Sequence, residues 1–255
     1  MVLLLPPIPN LLFPHSNQYD QGMGKERVGQ SEYVVSKDGT GDFDKIQDAI
    51  NSVTTTGKTI RIKEGTYTED LTLKSNVTLK GDGWGTEIII KGYTGIELSN
   101  LTTIEFRDLK IIVTATAAGD EIHIDMNAAL KITFNNVFFE VTNTNSSEGI
   151  IWTSGGTAAS NVRIINCKGE NSGTGDCARF FYAELDYLLF QGNTMKVWNI
   201  NATDATIDHS IIRGNFLKHV HLMAGSDNNA VTTNCLDTAA TNLGAGNEVA
   251  HNTLF

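Results

Sequence analysis

Two short stretches bring a carboxylate close to an imidazole, the pair of groups that general acid–base catalysis uses most often. "HIDMN" holds His123 and Asp125, and "TIDHS" holds Asp208 beside His209. Adjacent residues of a strand point to opposite faces, so Asp208 and His209 can serve one site only if they lie in a turn. We therefore interpret both stretches as ordinary surface and assign no catalytic residue to the chain.

A third stretch, "KHVHLM", could bind a metal, because His219 and His221 share one face of a strand. Protein metal sites usually have three or more protein ligands, and the sequence identifies no third ligand here. We therefore predict neither a metal nor another cofactor.

A candidate ligand surface lies in the longest segments between strands, where solenoid proteins carry their binding residues. Aromatic rings can stack on the flat C–H faces of sugars. The candidate glycan-binding residues are Trp152, Asp176, Arg179, Tyr182 and Trp198. The alternative is that these aromatic side chains pack long loops against the wall of the solenoid.

A repeat positions these residues. "LFQGNTM" at 189–195 recurs 22 residues later as "IIRGNFL" at 211–217. In each unit a short strand of alternating residues ends in Asn or Asp, which tolerate the left-handed backbone and bond to nearby backbone groups. The predicted turn residues are Asp82, Asp108, Asn136, Asn166, Asn193, Asn215, Asn234 and Asn252.

Eight such units, at steps of 18 to 30 residues, predict an all-β solenoid. We expect a single-stranded, right-handed parallel β-helix in which the turn residues stack as a ladder. Inward residues should form rows, one of them containing Phe106, Phe134, Ile164 and Phe190. The pattern has one irregularity: the last apolar residue lies three positions before some turn residues and two before others, which a bulge or a one-residue difference in the turn would absorb.

Charge and cysteine content oppose several classes of partner. The 255 residues carry a formal net charge of −10, whereas a nucleic-acid binder needs a basic face. Cys167, Cys177 and Cys235 include no CxxC pair, which indicates neither a disulfide framework nor a zinc site. Cys167 and Cys235 each follow a turn residue, so we expect both in one inward row, three coils apart and too distant for a disulfide.

Residues 1–31 differ from the rest of the chain and are interpreted as an extended N-terminal arm, followed by a β-helix domain over residues 32–255. All four prolines lie in the arm and disfavour helix and central strand. Its apolar run at 2–5 is too short to span a membrane and follows no basic residue, so we predict neither anchor nor signal peptide. The arm's Leu, Ile and Phe side chains suit a partner protein; a disordered tail is the alternative.

The segment after the arm, "YVVSKDGTGDFDKIQDAI", has apolar residues at helical spacing and predicts a short helix over residues 42–53 with Asp42 as its N-cap. Alternating strands follow in "IRIKEGTYTEDLTL" and "NVTLKGDGWGTEIII". Over residues 32 to 92 the chain resembles the capping helix and first coils of the pectin-lyase-like β-helix superfamily. Within that superfamily it is most similar to pectinesterases and to bacteriophage tailspike and β-helix proteins.

The resemblance implies a fold but not an activity, because one scaffold hosts many chemistries. The Gln-Asp-Thr-Leu, Asp-Phe-Ile-Phe-Gly and Leu-Gly-Arg-Pro-Trp segments of pectinesterases do not occur after Asp82, and no proline follows Pro14. The aspartate motifs of polygalacturonases are also absent. A pectate lyase remains an open alternative, because the catalytic and calcium-binding residues of that class form no short linear motif that could be checked.

Two classes of function remain. The favoured one is a non-catalytic structural, receptor-binding or glycan-binding protein of a virion, such as a phage spike or decoration protein, placed on a virion or outside the cell. Residues 1–31 would join it into a homo-oligomer, by analogy a trimer, or attach it to other virion proteins. The alternative is a small polysaccharide lyase or glycoside hydrolase that acts on an extracellular glycan.

Overall fold

The computed structural model describes residues 32–54, 57–90, 94–115, 123–143, 150–153, 157–171, 178–180, 184–195, 199–201, 206–222 and 224–254. Within these ranges there is one helix, α1 (Ile46–Asn51), and a long succession of strands. None of the described segments is a helix long and apolar enough to cross a membrane.

The strands of the N-terminal half are β1 (Glu32–Val35), β2 (Lys58–Ile62), β3 (Gly65–Thr68), β4 (Leu71–Thr72), β5 (Val77–Gly81), β6 (Thr86–Ile90), β7 (Thr94–Glu97), β8 (Thr102–Ala115), β9 (His123–Asp125), β10 (Leu130–Asn143) and β11 (Ile150–Thr153). Shorter strands follow: β12 (Ala159–Ser160), β13 (Arg163–Ile165), β14 (Lys168–Asn171), β15 (Ala178–Phe180), β16 (Glu184–Asp186), β17 (Leu189–Gln191), β18 (Thr194–Met195), β19 (Asn199–Asn201), β20 (Thr206–Asp208), β21 (Ile211–Arg213), β22 (Phe216–Leu217), β23 (His219–Leu222), β24 (Ala230–Thr232), β25 (Cys235–Leu236), β26 (Thr241–Asn242), β27 (Glu248–Ala250) and β28 (Thr253–Leu254).

The described strand pairs are parallel, and beyond β1 each joins a strand to its counterpart one coil later, so the molecule is a parallel β-helix, as predicted. Three faces surround the core. The first face contains β2, β5, the first halves of β8 and β10, then β13, β17, β21, β24 and β27. The second contains β3, β6, the second halves of β8 and β10, then β14, β18, β22, β25 and β28. The third contains β4, β7, β9, β11 and β15, and then β19, β23 and β26.

The core consists of rows of inward side chains, because alternate residues of every strand face inward at the same register. Phe106, Phe134, Ile164 and Phe190 are aligned and fully buried, which confirms the predicted row. The rings of Phe106 and Phe134 stack with centroids 4.8 Å apart and planes 4° apart. This distance is the usual spacing of neighbouring strands, so one coil advances the rod by one strand spacing.

The predicted helix exists but starts later than expected. Asp42 is not its N-cap, because the Asp42 carboxylate instead accepts a hydrogen bond from the Val34 backbone N–H at 3.0 Å. The Glu69 carboxylate accepts hydrogen bonds from two backbone N–H groups at the start of α1, that of Ile46 at 3.0 Å and that of Gln47 at 2.9 Å. A cap that comes from 22 residues further along the chain is invisible to a local capping pattern.

Two sharp corners recur along the rod, and in most described coils each corner uses a left-handed residue. The first corner precedes the first face, at Asn76, Thr103, Lys131, Asn161, Tyr187, His209, Asn228 and Gly246. The second corner joins the first face to the second, at Asp108, Asn136, Asn166, Gly192, Gly214, Thr233 and His251. The φ angles of these residues lie between 50° and 67°.

The eight predicted turn residues occupy different positions of the turn. Asp108, Asn136 and Asn166 are themselves the left-handed residues of the second corner. The side chains of Asn193, Asn215, Asn234 and Asn252 lie one position later and form one hydrogen-bonded row, the Asn ladder. Asp82 belongs to neither set and pairs with Arg61 at 2.7 Å. The irregularity in the sequence pattern is therefore a one-residue difference in the turn.

The two described cysteines differ in their turn position by the same one residue. The prediction that they share one inward row is therefore wrong. Cys167 occupies the ladder position, where its backbone N–H donates to Asn193 Oδ1 at 2.8 Å, and burial raises the pKa of its thiol to about 12. Cys235 comes one residue after its ladder Asn, pairs with Phe216 and lies half-buried on the outer side of the second face. Cys177 lies outside the described residues.

Candidate functional site

The outer side of the first face carries a shallow groove of about 520 Å³ that crosses the strands β5, β8, β10 and β13. Its polar lining consists of Thr78, Thr103, Glu105, Lys131, Thr133, Asn135, Asn161 and Arg163. These side chains face outward because their strand neighbours are core residues: Ile104 and Phe106 flank Glu105, and Ile132 and Phe134 flank Thr133.

Register aligns the lining in rows along the rod. Thr78, Glu105, Thr133 and Arg163 are paired in four successive coils. A hydroxyl, a carboxylate, a second hydroxyl and a guanidinium therefore follow one another at the strand spacing, about 4.8 Å. Together they offer hydrogen-bond donors and acceptors of both charges to one extended ligand.

Arg107 stands beside this lining, since it pairs with Asn135 in the next coil. Its Nε atom is buried and has no hydrogen-bond partner among the described residues, where the Asp108 carboxylate lies 3.8 Å away. A buried donor without an acceptor is costly.

The second face carries a different cluster, in which the charges are already paired. Lys110 donates to Glu87 at 2.9 Å and lies 3.3 Å from Glu140. The hydrogen bond to Lys110 lowers the pKa of Glu87, and the same contact raises the pKa of Lys110. Lys110 and Lys168 both lie over the Phe138 ring, at 5.3 and 4.7 Å from its centroid. This internal pairing is typical of a structural cluster rather than of an empty binding site.

Trp84 joins this cluster and was not among the residues singled out from the sequence. Its indole N–H donates to the Asn136 carbonyl at 3.1 Å, and its ring packs on Phe138 with centroids 5.4 Å apart. The indole is 40% exposed. The one sequence feature that could have drawn attention to Trp84 was its position in a Gly-rich turn between two strands.

The structure places the predicted glycan-binding residues away from the groove or leaves them outside the described residues. Trp152 lies in β11 and Arg179 in β15, which are adjacent strands of the third face. The side chains of these two residues, together with Asp176, Tyr182 and Trp198, lie outside the described part of the molecule. Their role in glycan binding stays a prediction.

The acid–imidazole stretches do not form a joint site in the described residues. Asp208 Oδ1 accepts the Asp227 backbone N–H at 2.7 Å, while His209 Nδ1 lies 3.0 Å from Asp186 Oδ1. Asp125 Oδ1 accepts the Asn127 N–H at 3.0 Å, and the His123 side chain lies outside the described residues. These carboxylates therefore accept hydrogen bonds that stabilise turns or lie beside a neighbouring imidazole.

His219 and His221 do share a face, with ring centroids 5.9 Å apart. Both ring nitrogens of His219 contact hydroxyls, of Thr238 at 3.0 Å and of Thr241 at 3.3 Å, and burial lowers the pKa of His219. No group of three or more His, Cys, Asp or Glu side chains suited to a metal occurs among the described residues.

Comparison with known proteins identifies the architecture. Residues 32–137 match the family model named pectinesterase. That stretch contains α1 and the first coils of the stacked parallel strands. Over these residues the chain is similar to pectinesterases, and its described strands form a parallel β-helix.

A curated relative is the probable pectinesterase/pectinesterase inhibitor 17 of Arabidopsis thaliana, 38% identical over 119 residues. The match covers 46% of this chain and 21% of the relative, so the chain spans about a fifth of that relative's length. Among solved structures, pectin methylesterase from carrot matches with 14% identity and a TM-score of 0.49, covering 89% of this chain and 86% of the carrot chain. The ORF18 protein of Geobacillus virus E2 matches with 16% identity and a TM-score of 0.41, covering 87% of this chain and 60% of the viral chain.

Proposed function

We propose that this β-helix binds a polysaccharide along the groove of the first face and does not cleave it. The register of Thr78, Glu105, Thr133 and Arg163 carries the proposal, because it repeats polar side chains along the rod. A polymer of hydroxyl-bearing rings needs such a series of donors and acceptors. The match of residues 32–137 to the pectinesterase model supports carbohydrate as the ligand class.

The composition of the groove supports binding without cleavage. Glycoside hydrolysis normally needs two carboxyl groups on either side of the scissile bond. Among the described groove residues, Glu105 is the only carboxylate. The pectinesterase motifs are absent from the sequence after Asp82 as well. A lyase would need only one basic group, to remove a proton, so lyase activity is retained as an outcome of the test.

Assembly and location form a second part of the proposal. We place the protein in a virion or another extracellular assembly, as a rigid rod joined through residues 1–31. The support is the concentration of apolar residues and of all four prolines in that segment. A homotrimer or attachment to a different virion protein would cover these side chains equally well.

Binding can be tested with the full chain and a panel of acidic and neutral polysaccharides, by affinity electrophoresis and then calorimetry. Arg163→Gln should weaken binding about tenfold or more, since it removes a charged donor from the groove. Lys168→Gln, a charge change on the second face, is the matched control and should leave the affinity unchanged. Failure of every polysaccharide to bind refutes the proposal, and release of unsaturated products, detected by ultraviolet absorbance, would establish the lyase instead.

A further inference from the structure

Two aromatic rings form an exposed pair at the first corner. The rings of Tyr187 and His209 stack in successive coils, with centroids 5.4 Å apart and planes 27° apart. Tyr187 is 53% exposed and the His209 side chain 51%. The fold does not bury this pair, although aromatic side chains usually contribute their large area to a core.

Tyr187 also holds an unfavourable backbone conformation. The φ angles of Tyr187 and His209 are 61° and 50°, in the left-handed region that tyrosine rarely adopts and that histidine adopts more readily. Asn161 and Asn228 fill the same corner in the coils on either side and tolerate that conformation. Tyr187 and His209 thus present two rings at a corner where the adjoining coils carry Asn.

The pair is held rigidly. His209 Nδ1 lies 3.0 Å from Asp186 Oδ1, and the Tyr187 backbone N–H donates to the Asp208 carbonyl at 3.0 Å. His209 lies one coil further along the rod than Tyr187 and stacks on its ring, whereas Asn161 lies in the coil before Tyr187.

That coil is the end of the groove. Lys131 and Asn161 occupy the first corner and line the groove, and Tyr187 is the next residue of the same corner row. The Asn161 N–H donates to the carbonyl of Asp186, directly before Tyr187. On the first face the polar row that ends in Arg163 continues as Leu189 and Ile211, which are apolar.

We propose that Tyr187, backed by His209, is a stacking subsite for one pyranose ring of a polysaccharide whose neighbouring rings lie in the groove. The inference rests on the proposed function. The C–H face of the sugar packs on the exposed ring face, while its hydroxyls remain free for the polar lining. The site favours a ring with one uninterrupted apolar face.

The test compares Tyr187→Asn with Tyr187→Phe, using the full chain and the polysaccharide that binds tightest. Tyr187→Asn should weaken binding roughly tenfold and should not lower the melting temperature, because Asn suits this backbone conformation. Tyr187→Phe keeps the ring and should keep the affinity within about twofold. Phe216→Ser, which removes a half-exposed aromatic residue of the second face, is the control and should bind as the parent does.

A second readout separates stacking from a general structural effect. Glycan C–H protons that pack on an aromatic face shift upfield in the NMR spectrum, and this shift should disappear in Tyr187→Asn and persist in Tyr187→Phe. Binding that is lost in Arg163→Gln but unchanged in Tyr187→Asn overturns the stacking subsite alone. Binding by no polysaccharide overturns the proposed function and the subsite with it.

Discussion

Asn193 Nδ2 donates to Asn215 Oδ1 at 3.1 Å, and the same oxygen accepts the Asn193 backbone N–H at 2.9 Å. Asn215 Nδ2 donates to the Phe190 carbonyl of that same preceding coil at 2.9 Å and to Asn234 Oδ1 of the following coil at 2.9 Å. One buried side chain thereby joins three successive coils. Each later turn of the rod is built around this arrangement, through Asn234 and Asn252.

Replacing Asn215 by Leu should destabilise the protein by about 3 kcal/mol, because buried backbone groups of neighbouring coils lose their partners. Urea unfolding measures the change. Asn166→Gly is the control: Asn166 is a left-handed residue of the same corner outside the ladder, and Gly fills that position in later coils. It should change stability by less than about 0.5 kcal/mol. Equal midpoints for parent and Asn215→Leu would show that the ladder contributes nothing.

The fold could be predicted from the sequence because alternation fixes which side chains enter the core. Phe106 and Phe134 could be placed in one row from their spacing before the turns. The place of each turn residue within its turn could not be predicted, because Asn suits both the left-handed position and the buried ladder position that follows it. A second ladder, in which Asn229 Nδ2 donates to Asn247 Oδ1 at 3.0 Å, escaped the sequence analysis for the same reason.

The candidate site was less accessible to sequence analysis. Glu105, Thr133 and Arg163 look like ordinary solvent-facing strand residues, and only the register between distant strands brings them together. Attention to long loops instead favoured Trp152 and Arg179, whose strands lie on the third face. In a solenoid, polar outward residues should therefore be compared between coils before loops are considered.

The contact between Lys110 and Glu87 predicts a pH dependence. Its lowered pKa means that Glu87 contributes stability above the unfolded value of 4.5, and that this contribution is lost as the pH falls through the folded value. Both groups are partly exposed, so the effect should be about 1 kcal/mol. Between pH 6 and pH 3 the parent should lose more stability than Lys110→Met, measured by chemical unfolding. Parallel pH curves for the two proteins would contradict the assignment.

Purified protein should release no methanol from methylated pectin. The sequence holds none of the three pectinesterase segments after Asp82, although residues 32–137 match the pectinesterase model. A coupled alcohol-oxidase assay against a heat-killed sample measures this directly. Turnover above that background would mean that residues outside the known motifs supply the nucleophile and the acid.

The N-terminal arm can be tested by sedimentation of the full chain beside a chain that begins at Ser31. Seven large apolar side chains in the arm could contribute about 10 kcal/mol on burial, against ordering costs of similar size. The full chain should therefore sediment as an oligomer, with a trimer favoured, and the shortened chain as a monomer. If both are monomers at micromolar concentration, self-assembly through the arm is wrong.

The central claim is that a polysaccharide lies along the first face, and a crystal structure of the complex tests it most directly. The full chain would be crystallised with an oligosaccharide of the tightest-binding polymer. We predict sugar rings that cross β8, β10 and β13, with hydrogen bonds to Glu105, Thr133 and Arg163. An oligosaccharide bound only on the second or third face would contradict the account.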